Sequence, residues 1–579
     1  LVAGQEDDDL AAALAAALQS KGGQVVAEED AAQGAIVLCG DDWRTWLVPR
    51  LQRLLKTSSK LWLVTRHTQP VPGAAPANPA SPPDPVSPTE PANLSQSGVW
   101  GLGAVIALEH PALWGGLIDI DDGRSADALA EFLLSSSRED RIALRGGRRF
   151  VPRLRPITTP PPAAAGNGVA LRPDATYLVT GAFGGLGREV VRWMASKGAR
   201  HLLLAGRTLP ATTPEAPGVD VTAVRADVSD YDQLAAVIAD ARRRLPPIRG
   251  VVHAAGIVDD GVLEGLTGER LERVLAPKAD AALHLHELTK ALPLDFFVLF
   301  SSLASVCGAA GQANYAAANA VLDALAHHRT SLGLPAVSIN WAPWREVGMA
   351  ARLTDAGAQR VRLRGLDSLS TRSGLRCLEA AILSGLPQVV VLPARWPELR
   401  RAFGGALPPL LSSLEEAAGA TARGAATPGT TVSSAGAQTP LAARLAAAHR
   451  GERAGLLAQE VSRLVAQALG WPADQRVPPT LALRDLGLDS LGALELRNAL
   501  AAALGRRLPS TLLFDYPSVA AIAGFLNDEL SDESDPAAPP TAGTDGTNGT
   551  DAAQLGTVLA ELAALSDEDA REALTGTRS

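Results

Sequence analysis

Residues 176–198 read TYLVTGAFGGLGREVVRWMASKG. An apolar run of strand length breaks into glycines at Gly181, Gly184, Gly185 and Gly187, then passes directly into a segment with helical spacing of apolar residues. A strand that turns through glycines into a helix lets the backbone approach a pyrophosphate closely. The helix N-terminus adds free amides and the positive end of its dipole. Thr180, Phe183 and Leu186 belong to the same expected nucleotide site. The alternative is a merely flexible βα turn, which the flanking strand and helix disfavour.

Outward from this turn, TYLVTG, HLLLAGR, VTAVRAD, GVVHAAG, DFFVLFSS and AVSINWAPW alternate with helix-length segments. That alternation predicts a doubly wound parallel sheet over residues 171–402. Residues 1–155 repeat it in degraded form through LVAG, QVVAEED, AIVLCG, KLWLVTR and GGLIDI. The first of these runs into QEDDD, whose acidic groups would repel a phosphate. This half therefore reads as a Rossmann-like partner without a cofactor. Residues 144–155 (LRGGRRFVPRLR) predict a hairpin tying the halves together. A Pro- and Ala-rich break at 156–168 separates them. An Ala/Gly/Pro/Thr linker is expected at 403–449, a small helical bundle at 450–530, a disordered linker at 531–553 and a helical tail at 554–579.

A chain of 579 residues is too long for one core. Its net charge of −9 argues against a general nucleic-acid binder. No apolar run approaches a membrane span and no secretory signal precedes the first strand, so a cytoplasmic protein without membrane contact is expected. Cys39, Cys307 and Cys377 are scattered, forming neither a metal cluster nor a disulfide framework. The opening LVAG, without Met, suggests a piece of a longer chain.

Twenty residues past Gly187, an NAD site would place an acid on the ribose hydroxyls. This chain has Arg207 there, a partner for a 2′-phosphate, so NADPH is the expected cofactor; an ordinary surface Arg is the alternative. Asp227 and Val228 after the third strand suit adenine contacts. Ala254, Ala255 and Gly256 after the fourth, with Pro343 after the sixth, suit the nicotinamide-ribose end.

Reducing a ketone requires a hydride and a proton donor at the developing alkoxide. A free tyrosine, with a pKa of about 10, holds its proton too tightly unless a cation lowers it. Ser302 closes the fifth strand, and Tyr315 and Asn319 are four apart in YAAANAVLDAL, hence on one helix face. The chain has six Lys against 47 Arg, so a retained Lys is informative. Of the three in this half, Lys197 and Lys290 close helices, where a cation is ordinary. Lys278 follows Pro277 near an expected helix start, an unfavourable place for a cation, and is the best candidate.

Ser302, Tyr315 and Asn319, with Lys278 placed 37 residues before the tyrosine, resemble the ketoreductases of modular type I polyketide synthases. In that family Lys and Asn are exchanged relative to ordinary short-chain dehydrogenases. VWGLGAVIALEHPALWGGLIDI and EDRIALRGGRRFVPRL resemble its structural subdomain. The resemblance implies hydride transfer from NADPH to a carrier-bound β-ketoacyl thioester. Tyr315 would be proton donor, Ser302 carbonyl orienter, and Lys278 and Asn319 tuners and proton relay. Val258, Asp259 and Asp260 resemble the Leu-Asp-Asp signature of B-type enzymes, with Val for Leu, and Cys307 stands where A-type enzymes carry Trp. That implies a D-configured β-hydroxyl. Trp344 packs either near the nicotinamide or in the core.

In the small bundle, LALRDLGLDSLGALEL places Asp489-Ser490 at a helix start. With LPSTLLFDYPSVAAIAGFL it resembles an acyl carrier protein, which implies 4′-phosphopantetheine on Ser490. Gly492, where that family often has Met or Leu, would soften a partner-facing surface. The implied partners are a phosphopantetheinyl transferase and the ketosynthase and acyltransferase of the same module. The next synthase polypeptide would meet the C-terminal helices, which otherwise fray, and the full synthase would be a homodimer. A catalytically defunct scaffold and a reductase of fatty-acid-like thioesters are the alternatives.

Overall fold

The computed structural model describes residues 2–3, 8–25, 34–57, 60–71, 93–121, 126–135, 137–157, 168–212, 214, 216–348, 365–402, 407–414, 441, 444–445, 448–469, 471, 476–483, 485–486, 488, 490–506, 508–509 and 512–532. Leu1–Phe525 form one compact unit; Leu526–Ser579 form a second, described only over 526–532. The expected linker at 531–553 and tail at 554–579 lie, but for the helix end at 531–532, outside the described residues.

The first half winds through β1 (Val2–Ala3), α1 (Asp8–Ser20), β2 (Ala35–Leu38), α2 (Trp43–Thr57), β3 (Leu61–Arg66), α3 (Gly98–Glu109), β4 (Trp114–Ile120) and α4 (Ala126–Leu133), then the hairpin β5 (Arg141–Arg145) and β6 (Arg148–Phe150). Its six strands lie in chain order, parallel except for the last pair. Alternation along β3 explains the layers. Leu61 and Leu63 face Trp43, Leu51 and Val99 of α2 and α3, while Val64 faces Leu10, Leu14 and Leu129 of α1 and α4. Of the expected strand QVVAEED, Gln24 and Val25 are irregular and the rest lies outside the described residues. The hairpin begins at Arg141, ahead of the expected Leu144, because β5 first pairs with β4; it turns on Gly146 and Gly147, both at positive φ. Beyond it, Leu154 N–H donates to Leu410 O at 2.9 Å, so 407–414, read as linker, packs back on this half.

The second half comprises β7 (Thr176–Thr180), α5 (Gly185–Ser196), β8 (His201–Gly206), β9 (Asp220–Arg225), α6 (Tyr231–Arg244), β10 (Ile248–His253), α7 (Gly268–Leu275), α8 (Ala281–Thr289), β11 (Phe296–Ser302), α9 (Leu303–Cys307), α10 (Ala313–Ser331), β12 (Val337–Trp341), α11 (Thr371–Ser384), β13 (Gln388–Val390) and α12 (Trp396–Ala402). The seven strands are all parallel, in the order β13-β12-β11-β10-β7-β8-β9. The winding reverses between β7 and β10, which opens a crevice at their carboxyl ends. β13 was not expected: three residues carry too little pattern to separate from a helix end.

One expectation is corrected here. Lys278 does not lie near a helix start. Residues 268–289 run as one helical stretch, with a π-helical turn over Ala276–Asp280 between α7 and α8. Pro277 lacks the N–H that an α-helix would use, and the wider turn absorbs the loss.

The halves meet helix on helix. A Cβ on Gly101 of α3 would lie 2.1 Å from Ala316 O of α10, and one on Gly98 would lie 3.5 Å from Ala317 O. The alanines of YAAAN thus press against glycines of the first half.

The third segment contains α13 (Arg450–Leu469), α14 (Ser490–Leu504), α15 (Leu512–Asp515) and α16 (Val519–Asp532). Leu457, Val461 and Leu464 of α13 and Leu496, Leu500 and Leu504 of α14 are buried at helical spacing, and the two helices pack together. Tyr516 stacks on Phe525 at 4.5 Å. No helix among the described residues is long and apolar enough to cross a membrane.

Candidate active site

The glycine loop sits in the crevice. Gly181 adopts φ +71°, and a Cβ there would meet the Ala254 backbone at 2.6 Å. A Cβ on Gly187 would lie 2.2 Å from Gly181 O. Only glycine closes the turn this tightly, leaving the amides at the start of α5 facing the crevice mouth. The Phe183 ring lies under Gly206, 2.7 Å from where its Cβ would be, so the loop abuts the end of β8. Arg207, next in sequence, is exposed. Asp227 Oδ1 accepts from Ser229 N at 3.0 Å and Ser229 Oγ at 2.6 Å, and Val228 is buried. Ala254 N donates to Thr180 O at 3.1 Å, joining the two strand ends on either side of the crevice. A backbone-lined turn with a cation at the end of the neighbouring strand fits a dinucleotide phosphate.

Pro343 is half-buried, its carbonyl accepting from Leu369 N at 2.8 Å. Trp344 is 3% exposed and meets Trp341 edge-on at 5.1 Å, so of its two places it takes the core. Val347 and Gly348 then close over Gly185, where a Cβ would lie 2.8 Å from Gly348 N. Residues 349–364 lie outside the described residues.

Four side chains converge at the end of β11. Lys278 Nζ donates to Phe300 O at 2.9 Å and lies 5.3 Å from the Tyr315 ring centroid. A Cβ on Gly256 would be 3.2 Å from the same Nζ, so this cation borders the turn that follows β10. Asn319 Nδ2 donates to Tyr315 O at 2.7 Å, leaving Asn319 Oδ1 buried without a hydrogen-bond partner. Ser302 Oγ accepts from Ala304 N at 3.2 Å, capping α9. The other two lysines are committed elsewhere: Lys197 to Glu379 at 2.7 Å and Lys290 to Glu287 at 2.6 Å.

The electrostatics differ from the expectation. Burial pushes the Tyr315 hydroxyl up to about 12, with Asn319 and Ser302 pulling the other way. Burial pushes Lys278 down to about 8, opposed by the Asp323 carboxylate. The cation therefore does not bring the tyrosine below its ordinary value here, because both groups are desolvated together.

Two buried networks escaped the sequence reading. His253 Nε2 lies 2.8 Å from Lys278 O, and its Nδ1 lies 2.7 Å from Thr180 Oγ1. A carbonyl can only accept, so Nε2 carries the proton and Nδ1 accepts from the threonine. Burial pushes this imidazole down to about 3, keeping it neutral. Asp323 accepts from Ser305 Oγ and Ser338 Oγ at 2.6 Å each and from Asn340 Nδ2 at 2.8 Å. Asn340 reaches Ser301 Oγ and Ser302 O as well, steadying the strand end that carries Ser302. The signal was present as polar residues inside apolar strands, VVHAAG and AVSINWAPW.

Val258 is exposed at the crevice rim. Arg270 holds Asp259 at 2.7 Å, with Arg273 at 3.3 Å, and keeps its carboxyl below the usual range. Asp260 Oδ1 accepts from Gln312 Nε2 at 3.1 Å, while burial raises its carboxyl. The loop is thereby tied to the segment entering α10. In the third segment Ser490 is the first residue of α14. Asp489 lies outside the described residues, and Gly492 is buried.

Residues 175–346 match the family described as KR domain, and 2–154 match the Rossmann fold domain of the polyketide synthase extender module SpnB. Residues 459–526 match the phosphopantetheine attachment site. Among solved structures, the PlmKR1 ketoreductase from the first module of phoslactomycin biosynthesis in Streptomyces sp. HK803 is 35% identical, with a TM-score of 0.57, covering 67% of this chain and 88% of that one. The chain belongs to the ketoreductases of modular polyketide synthases. The first ketoreductase of the tylosin synthase is 30% identical, with a TM-score of 0.58, covering 72% of this chain and 95% of that one. Polyketide synthase GfsA of Streptomyces halstedii is 42% identical over 456 residues, 75% of this chain. The matched part of the chain spans only 6% of GfsA. NADPH is the reductant such ketoreductases use, and the attachment-site match brings a covalent 4′-phosphopantetheine.

Proposed function

We propose that the chain reduces the β-keto group of an acyl thioester held on its own carrier segment, consuming NADPH and yielding a D-configured β-hydroxyl. The observation that carries this reading is the convergence of Tyr315, Lys278, Ser302 and Asn319 beside Gly256 at the mouth of the crevice. Gly181, Gly184, Gly185 and Gly187 hold the pyrophosphate and Arg207 the 2′-phosphate. Thr180, Phe183, Leu186, Asp227, Val228, Ala254, Ala255 and Pro343 line the rest of the cofactor site.

Bound NADPH supplies the hydride, delivered to the β-carbon. The Ser302 hydroxyl donates to the carbonyl oxygen and orients it. Tyr315 releases its proton to that oxygen as the C=O bond becomes C–O. An alkoxide is a stronger base than a phenolate whose acid has a pKa of about 12, so the proton moves downhill. Lys278 stabilises the phenolate by charge, and Asn319 Oδ1, a buried acceptor without a partner, serves the proton relay by accepting from a water, whose other proton returns to the Tyr315 phenolate. The Val258-Asp259-Asp260 loop, fixed by Arg270 and Gln312, sets the face presented to the hydride, and Cys307 leaves the position of the A-type tryptophan open.

The domain reading that accompanies this is 1–155 structural, 171–402 catalytic, 450–530 carrier, with linkers at 403–449 and 531–553 and a docking or dimerising tail at 554–579. A phosphopantetheinyl transferase, the ketosynthase and acyltransferase of the module and the next synthase polypeptide are the partners, in a cytoplasmic homodimer. Oxidation of NADPH with a short β-ketoacyl thioester, followed by chiral analysis, tests the reading. D-product with a preference over NADH is expected. Absence of turnover with cofactor bound sinks it, and L-product sinks the stereochemical assignment alone. Ser490→Ala is expected to abolish the mass increment left by a phosphopantetheinyl transferase.

A further inference from the structure

α14 of the carrier segment makes specific contacts with α3 of the structural half. Arg497 Nη2 donates to Glu109 O at 3.0 Å, and Asn498 Nδ2 donates to Leu108 O at 3.1 Å and Glu109 O at 3.2 Å. These carbonyls end α3, where helix carbonyls have no partner in their own helix and the dipole is negative. Arg497 Nη1 also lies 3.9 Å from Glu264 Oε1, and the residue is only 9% exposed. Glu264 in turn meets His110 Nε2 at 3.4 Å. Ligand atoms of Glu109, His110 and Glu264 lie within 4.8 Å of one another, a grouping that attracts a cation. The cation beside it is the Arg497 guanidinium.

The seat is held by the reductase alone. Gln52 Nε2 of α2 donates to the carbonyls of Leu263, Glu264 and Leu266 at 2.8–3.1 Å. Glu109 Oε2 accepts from Leu263 N at 2.9 Å and Oε1 from Gly311 N at 2.6 Å. One buried carboxylate therefore anchors both the loop after Asp259-Asp260 and the segment that enters α10 with Tyr315. Arg497 lies seven residues after Ser490, so a seated Arg497 fixes the start of α14 about 10 Å along the helix axis from the seat.

We propose that the C-terminal end of α3, with Glu109, His110 and Glu264, is the docking site at which the reductase receives this chain's own carrier segment, recognised through Arg497 and Asn498. The proposal rests on the carrier and reductase assignments above.

The full chain with Arg497→Glu tests it through two readouts. The first is single-turnover reduction of a β-ketoacyl group loaded on Ser490, against turnover of the same acyl group as a free thioester. The second is hydrogen exchange over residues 105–112 and 260–266. Losing a buried, hydrogen-bonded charge contact is expected to slow carrier-bound reduction about tenfold, with free-thioester turnover unchanged and exchange at both segments faster. An unchanged carrier-bound rate overturns the proposal, as does an equal fall in both rates, which a structural lesion would give. Normal phosphopantetheine loading shows that the variant carrier folds; if loading fails, Glu264→Lys on the reductase side carries the same expectations. If exchange rises while neither substrate is reduced even by the unaltered chain, docking stands and the reductase reading falls.

Discussion

Lys278 holds its charge where the surroundings oppose it: 3% exposed, with one backbone carbonyl as hydrogen-bond acceptor. Its pKa of about 8, against an ordinary 10.5, has two consequences. Turnover should fall as pH rises through about 8, since the cation facing the Tyr315 phenolate is lost; Lys278→Met should remove that limb of the kcat profile and lower kcat by about a hundredfold. In stability the sign is opposite. A buried lysine with a depressed pKa destabilises the fold fully below pH 8, and that penalty lifts as pH rises towards 10.5, because the unfolded chain then binds the extra proton. Urea midpoints of the unaltered chain should thus rise relative to Lys278→Met between pH 8 and 10; parallel curves would refute this. Asn319→Lys should not improve turnover, because position 319 faces a site already supplied with a cation. The residues themselves were legible through Lys scarcity and the Ser–Tyr–Asn spacing. His253, in an apolar strand, and Asp323, in the small-residue helix α10, were not, since a buried polar side chain in an apolar element looks the same in sequence whether it serves a network or not.

At the scale of elements, α3 and α10 decide how firmly Tyr315 is held. Their axes approach through Gly101 and the Ala316 carbonyl, with no room for a side chain. Gly101→Leu should therefore force the helices apart, destabilising the protein by about 1–3 kcal/mol. Because α10 carries Tyr315 and Asn319, kcat should fall together with the melting temperature; a thermal melt and NADPH oxidation on the same sample measure both. Periodicity located the long helices and central strands well. It misjudged the π turn at Ala276–Asp280 and passed over β13, because a proline in a helical pattern reads as a boundary and three residues do not form a pattern.

Across the whole molecule, one apolar cluster joins Trp43, Leu51, Val99 and Leu102 of the first half to Leu271, Val274, Ala317 and Val321 of the second. A fragment comprising residues 168–402 alone would expose that surface and should be aggregation-prone, recovering solubility only when the first half is co-expressed. A monomeric fragment with an intact near-ultraviolet circular dichroism spectrum would contradict this. The chemistry proposed for the chain was legible locally: a glycine turn between strand and helix, a tyrosine and asparagine on one helix face, and a serine before a helix are short-range patterns that any fold containing them must express. What only the tertiary structure decided was long-range. It set Lys278 beside the Tyr315 ring, put Trp344 in the core, and raised the Tyr315 pKa by burying it with its cation. Each of those depends on which surfaces lose water when distant segments meet, and spacing along a chain carries no record of that.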